Sequence, residues 1–194
     1  MASRTQRERT DTTRAALIGA ALDLLDERGW AATTSVAVCE RAGLTRGALV
    51  HHFGDLPTLL AEALDAHYAT LSTTVVDRTT ITSTEALVEH TWRVVETGRF
   101  KIVIEAWLAA SNDAELGAAI GPVVTRFAKL VDPSEWPEAL PTAESRAFYL
   151  TARETIFGLA LGRATAGAPL RHEQLVVDQL LALARTHYSD GGTP

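Results

Sequence analysis

The sequence predicts an all-α protein, and three observations carry that prediction. Apolar residues recur with helical spacing almost throughout, and no stretch alternates apolar and polar residues as a half-buried strand does. The helical patterns are also separated by glycines, prolines and hydroxyl residues where helices stop and start. With 194 residues, 46% of them apolar and 22% charged, the chain is long enough to bury a core without covalent staples.

The first helix is expected over about 12–28, since Leu17, Ala20, Ala21, Leu24 and Leu25 fall on one face and Gly29 stands where a C-cap belongs. Two short helices follow. One runs from Ser35 to Ala42 behind Thr34 as N-cap, with Gly43 as its stop. The next runs from Thr45 to about His52. Asp55 caps a longer helix that tolerates Pro57 in its first turn and reaches into the 70s. Periodicity is weakest from Ser72 to Thr84, where a turn is expected. Helices resume at about 85–97, 99–111, 114–131, 143–166 and 170–188, giving about nine in all. Thr84, Asp113 and Thr142 are the N-cap candidates, and Gly98 and Gly167 the C-cap candidates. Pro122 should kink the 114–131 helix, and the proline-rich segment 132–141 reads as a loop.

Composition narrows the function classes. The net charge of −6 argues against a general nucleic-acid binder, but residues 1–14 are locally basic through Arg4, Arg7, Arg9 and Arg14. A small basic arm on an acidic body can still bind DNA locally. The single cysteine, Cys39, excludes an internal disulfide framework and any multi-cysteine metal site, and fits a cytoplasmic location. His51 and His52 are adjacent, so on a helix they point about 100° apart and do not suit one metal. No apolar run reaches bilayer length, and residues 1–13 lack a signal-peptide core, so no membrane association is expected. Glycine-rich phosphate loops, clustered carboxylates and nucleophile motifs are missing from the sequence, so neither an enzyme nor a cofactor is expected.

The positive signal lies in residues 34–53. Two short helices joined at Gly43-Leu44 behind a longer first helix form a helix-turn-helix pattern. Gly43 supplies the residue that tolerates positive φ at the turn, while Val38, Ala42, Leu49 and Phe53 face inward. The second helix is short enough to enter a DNA major groove, about 12 Å wide.

Gly29-Trp30, Thr34-Ser35, Val38-Cys39, Ala42-Gly43-Leu44-Thr45, Gly47, Leu49 and His52-Phe53 together resemble the signature of the tetracycline-repressor (TetR) family. The resemblance covers roughly residues 12–65. It implies a DNA-binding domain over 1–54 and a helical effector-binding and dimerisation domain over 55–194. Carried over by position, Thr34 and Ser35 offer hydroxyl and backbone N–H groups to phosphate, and Thr45 opens the recognition helix. Arg46, its one permanent cation, is placed for guanine. Gly47 admits close backbone approach, Ala48 suits a thymine methyl, and His51 and His52 face bases or phosphates. Arg4, Arg7 and Arg9, in what reads as an irregular arm, reach the backbone or minor groove. Two departures stand out. Val50 replaces the family's aromatic residue and Leu56 its lysine, which removes one hydroxyl and one cation that commonly touch the DNA backbone.

For the C-terminal region the resemblance implies an effector cavity, a homodimer and a palindromic operator. Trp92, Trp107 and Phe127 are the aromatic candidates for the cavity wall, with His67, His90 and Glu105 as polar anchors. Gly158 and Gly162 form a small-residue strip on one helix, and Val176, Leu180 and Leu183 an apolar face on the last. These are the dimerisation candidates. The function so implied is a repressor released from DNA by a small apolar molecule; a constitutive regulator without an effector fits the same residues.

Overall fold

The computed structural model describes residues 6–75, 80–96 and 100–188. Among them it contains nine α-helices and no strand: α1 Gln6–Arg28, α2 Ser35–Ala42, α3 Arg46–Phe53, α4 Leu56–Val75, α5 Thr84–Glu96, α6 Phe100–Asn112, α7 Ala114–Leu130, α8 Ala143–Ala166 and α9 Glu173–Tyr188. They fall into two compact units. The first holds the chain up to Ala69 with Ile102–Thr125, and the second holds Thr70–Lys101 with the chain from Arg126 onward.

In the first unit, α1 packs against α2 and α3. Its buried face is Leu17, Ala20, Ala21, Leu24 and Leu25, and Val38, Leu49 and Phe53 are buried on the two short helices. Helix α1 starts at Gln6, a turn and a half before the expected start. Gln, Arg and Glu are good helix formers, and Thr12 and Thr13 donate to the carbonyls of Glu8 and Arg9, as helical hydroxyls do. Apolar spacing begins only at Leu17, so this exposed extension carries no periodic signal. Arg7 and Arg9 are therefore exposed helical residues rather than part of an irregular arm. Arg4 lies outside the described residues.

In the second unit, α5 packs on α8 and α9. Its core includes Leu87, Phe100, Phe127, Tyr149 and Ile156. The Tyr149 hydroxyl lies 3.2 Å from the Thr91 hydroxyl and donates to the Val131 carbonyl at 3.4 Å. Arg153 donates to that same carbonyl at 3.1 Å, so two polar side chains of α8 converge on the end of α7. Burial pushes the Tyr149 phenol above its ordinary pKa, which keeps it a neutral donor.

Two further helix starts differ from the expectation. Ser83, not Thr84, caps α5, accepting from Ala86 N–H at 3.1 Å, while Thr84 is buried and donates to the Ala139 carbonyl. Helix α9 begins at Glu173, because Leu170 N–H donates to the Glu173 carboxylate and residues 170–173 close a turn first. Helix α7 continues through the exposed Pro122 to Leu130. The loop 132–141 contains a 3-10 turn at Pro133–Glu135, started by Asp132. Asp113, Thr142 and Gly167 cap as expected, with Ser145 completing a reciprocal capping box with Thr142. Gly98 lies outside the described residues.

Candidate nucleic-acid interface

Local chemistry sets the two short helices. Thr34 is extended, and its Oγ1 accepts from Ala37 N–H at 3.2 Å, satisfying a donor that α2 leaves open. Thr45 does the same for Ala48 N–H at 3.2 Å and starts α3. Between them Gly43 adopts φ 65°, ψ 31°. Leu44 N–H then donates to the Cys39 carbonyl at 2.9 Å and Gly43 N–H to the Glu40 carbonyl at 3.2 Å, the paired bonds of a left-handed helix stop. A side chain with a Cβ is strained at this φ, so the turn depends on glycine.

The expected contact residues of α2, α3 and their caps are all at least partly accessible. Thr34, Thr45, Arg46, Gly47 and His51 are exposed, and Ser35, Ala48 and His52 are half-buried. Ser35 at the start of α2 and Arg46 and Val50 on α3 line one cleft of about 220 Å³. The positions that depart from the family pattern are thus an exposed Val50 and a half-buried Leu56 at that cleft. Cys39 is buried behind α2, and burial raises its thiol pKa, so it is a packing residue.

Elsewhere, the expected anchors are largely engaged by their own unit. In the first unit, His67 and Tyr68 are buried on α4, where burial pushes the Tyr68 phenol well above its ordinary pKa, and Trp107 of α6 is half-buried. Glu105 accepts from Trp30 N–H at 2.8 Å. In the second unit, the His90 ring lies 5.8 Å from that of Trp136, and Trp92 is buried beneath the Arg163 guanidinium at 5.3 Å. Phe127 is buried 6.0 Å from Phe100, which is itself 5.2 Å from Phe157. Of the dimerisation candidates, Gly158 is exposed with open space around it. Gly162 instead faces Leu170, whose Cδ1 would lie 2.7 Å from an added Cβ. Leu180 is buried within its own chain, and Val176 and Leu183 are half-buried.

Residues 17–63, spanning all of this helix-turn-helix geometry, match the family model of bacterial regulatory proteins, tetR family. Over these residues the chain is similar to TetR-family transcriptional regulators. It is 29% identical over 194 residues to the HTH-type transcriptional regulator BetI of Burkholderia mallei, covering 87% of this chain and 93% of that one. A transcriptional regulator from Rhodococcus sp. Rha1 has the same fold at TM-score 0.66 and 20% identity, over 90% of this chain and 97% of its own. So does EbrR, a multidrug binding protein solved with imidazole, at TM-score 0.62 and 18% identity, over 88% and 94%. The matched residues include α2 and α3, the helix-turn-helix of this chain.

Two residues that contact this helix-turn-helix unit carry roles that sequence reasoning missed. Arg14 of α1 donates to the His52 carbonyl at 2.7 Å, lies 4.4 Å from the Phe53 ring centroid and pairs with Glu62 of α4. It satisfies an open carbonyl at the C-terminal end of the recognition helix and places a cation at the negative end of its dipole. Glu105 is the second, a side chain of α6 that holds the turn between α1 and α2. Both partners lie tens of residues away, so no local pattern marks them.

Proposed function

We propose that this regulator is a homodimeric repressor that binds a palindromic operator and is released by a small apolar or aromatic effector. The observation that carries the DNA half of the reading is the exposed N-terminal end of α3, where Thr45 caps the helix and Arg46 opens it. One recognition helix covers too few bases for useful specificity, and two-fold symmetry matches half-sites about 34–36 Å apart. Arg46→Ala should cost about 1–3 kcal/mol on a selected duplex and relax discrimination at one base position per half-site. Equal binding of selected and scrambled duplexes by mutant and parent would remove Arg46 from the reading.

The second copy is expected on α8 and α9. Leu150 and Leu161 of α8 are 38% and 46% exposed, Leu175 of α9 is 74% exposed, and Gly158 lies open between the first two. This face supports dimerisation better than Gly162 and Leu180, which serve their own chain. Leu161→Glu should yield a monomeric mass at micromolar concentration; an unchanged dimer would move the interface elsewhere.

For the effector, aromatic Trp92 and Phe127 with polar His90, all in the second unit, remain the offered residues, and the likeness to a multidrug binding protein supports a small-molecule ligand. A ligand releases DNA only through its differential affinity for the bound and released forms. Tryptophan fluorescence during titration with aromatic and lipidic compounds, followed by operator release, tests this. Loss of neither signal leaves a constitutive regulator. Such a repressor would act in the cytoplasm, where its operator is.

A further inference from the structure

The turn between α1 and α2 is built around a side chain from far along the chain. Gly29 ends α1 with φ 76°, its N–H donating to the Leu25 carbonyl at 3.1 Å. The Thr33 hydroxyl donates back to the Gly29 carbonyl at 2.9 Å, and Thr33 N–H to the Trp30 carbonyl at 3.1 Å. Thr34 follows at once as the cap of α2. In this closed turn the outward-pointing donor is Trp30 N–H, and it is taken at 2.8 Å by the Glu105 carboxylate of α6.

A second observation converges on the same contact. A Cβ added at Gly29 would lie 2.7 Å from Glu105 Oε2 and 3.2 Å from Oε1. The backbone is therefore bare where the carboxylate approaches; the φ of 76° favours glycine there, and an added Cβ would push the end of the Glu105 side chain aside. Helix α6 is in turn seated on the start of α7, since a Cβ at Gly117 would lie 2.9 Å from the Ala110 carbonyl. The turn, α6 from Ile102 onward and the start of α7 all belong to the first unit.

We propose that Glu105 is a positioning residue for DNA recognition, a latch through which the placement of α6 sets the start of α2. The carboxylate touches no DNA. It holds Trp30 N–H with a charge-assisted hydrogen bond, stronger than a neutral one, and thereby fixes the turn that leads directly into Thr34 and Ser35. Displacement of α6 shifts those two residues against the phosphates they meet, while leaving the charge of the surface unchanged. Specific affinity depends on that register; non-specific affinity depends on charge and does not.

This rests on the reading of α2 and α3 as the DNA surface, and the experiment separates the two. The probe is a duplex selected by the full chain from a random-sequence library, with a scrambled duplex as reference. Glu105→Ala should lose about tenfold in affinity for the selected duplex with little change on the scrambled one. Glu105→Gln keeps an acceptor oxygen and should retain specific affinity to within about threefold. Glu105→Asp keeps the charge but falls one methylene short, and should lose specific affinity too. It is the working comparison if the alanine variant does not fold. Parental specific affinity in the alanine or aspartate variant, or an equal loss on both duplexes, overturns the latch. Arg46→Ala run alongside reports on the DNA surface itself. If it loses discrimination while Glu105→Ala keeps it, only the latch fails. If the parent shows no discrimination, the reading of the surface fails.

Discussion

The helix-turn-helix region and the second unit handle their polar groups in opposite ways. In the first, Thr34, Thr45 and Asp55 each bond a backbone N–H three residues ahead, and the side chains stay at the surface. In the second, polar groups are buried and answered across the fold. Arg163 of α8 binds Glu173 of α9 at 2.7 Å and donates to the Glu96 carbonyl of α5 at 2.8 Å, with both ion-pair side chains less than one-fifth exposed. Tyr149, Thr91 and Arg153 form a similar long-range set. A surface proposed to read DNA must leave its donors available, and the starts of α2 and α3 are accordingly ordered by short local bonds. A packed helical unit has no such duty and uses its polar groups to join helices.

The largest effect should follow from breaking the long-range kind of contact. Arg163→Ala leaves the buried Glu173 carboxylate without its cation, an arrangement that costs about 3–5 kcal/mol. The denaturant midpoint of the variant measures it. A shift under 1 kcal/mol (an order-of-magnitude bound for exposed pairs) would mean that the pair behaves as a surface one and that the contrast between the regions is overstated.

Gly43→Val attacks the local kind. Space around the Cβ is open, so the cost is conformational alone, about 1–2 kcal/mol for the left-handed backbone. Gly43→Asn should recover part of it, and thermal melts of the three proteins give the comparison. Thr45→Ala removes one cap and should cost about 1 kcal/mol, with a fall in specific DNA affinity because α3 begins there. Thr45→Ser restores the acceptor; if it fails to restore binding, the hydroxyl has a role beyond capping.

The smallest effect is a pH dependence. Hydrogen bonds from Thr58 hold the Asp55 carboxyl below its ordinary pKa of 3.8. A depressed carboxyl contributes stability that is complete above the unfolded value and is lost as pH falls through the lower folded value. Asp55→Asn, which can still accept from Thr58, should therefore flatten the acid limb of a melting-temperature profile while changing little near neutrality. An unchanged acid limb would show that Asp55 is not one of the groups that shape it.

Asp113 and Thr142 were legible as caps because a cap and its N–H are neighbours in the chain, and the turn at Gly43 for the same reason. Thr84 was misread as a cap because its burial against Ala139 depends on a loop 55 residues away. Gly162 looked like an interface glycine until Leu170 was seen to fill its space. By itself the sequence determined the all-α class, most helix ends and the residues of α3, since periodicity, capping and glycine stops act within a few residues. Only the tertiary structure decided that Arg14 closes α3, that Glu105 holds the turn before α2 and that Leu180 is core. Those roles come from side chains meeting backbone or space contributed by remote helices, and a remote neighbour leaves no spacing to read.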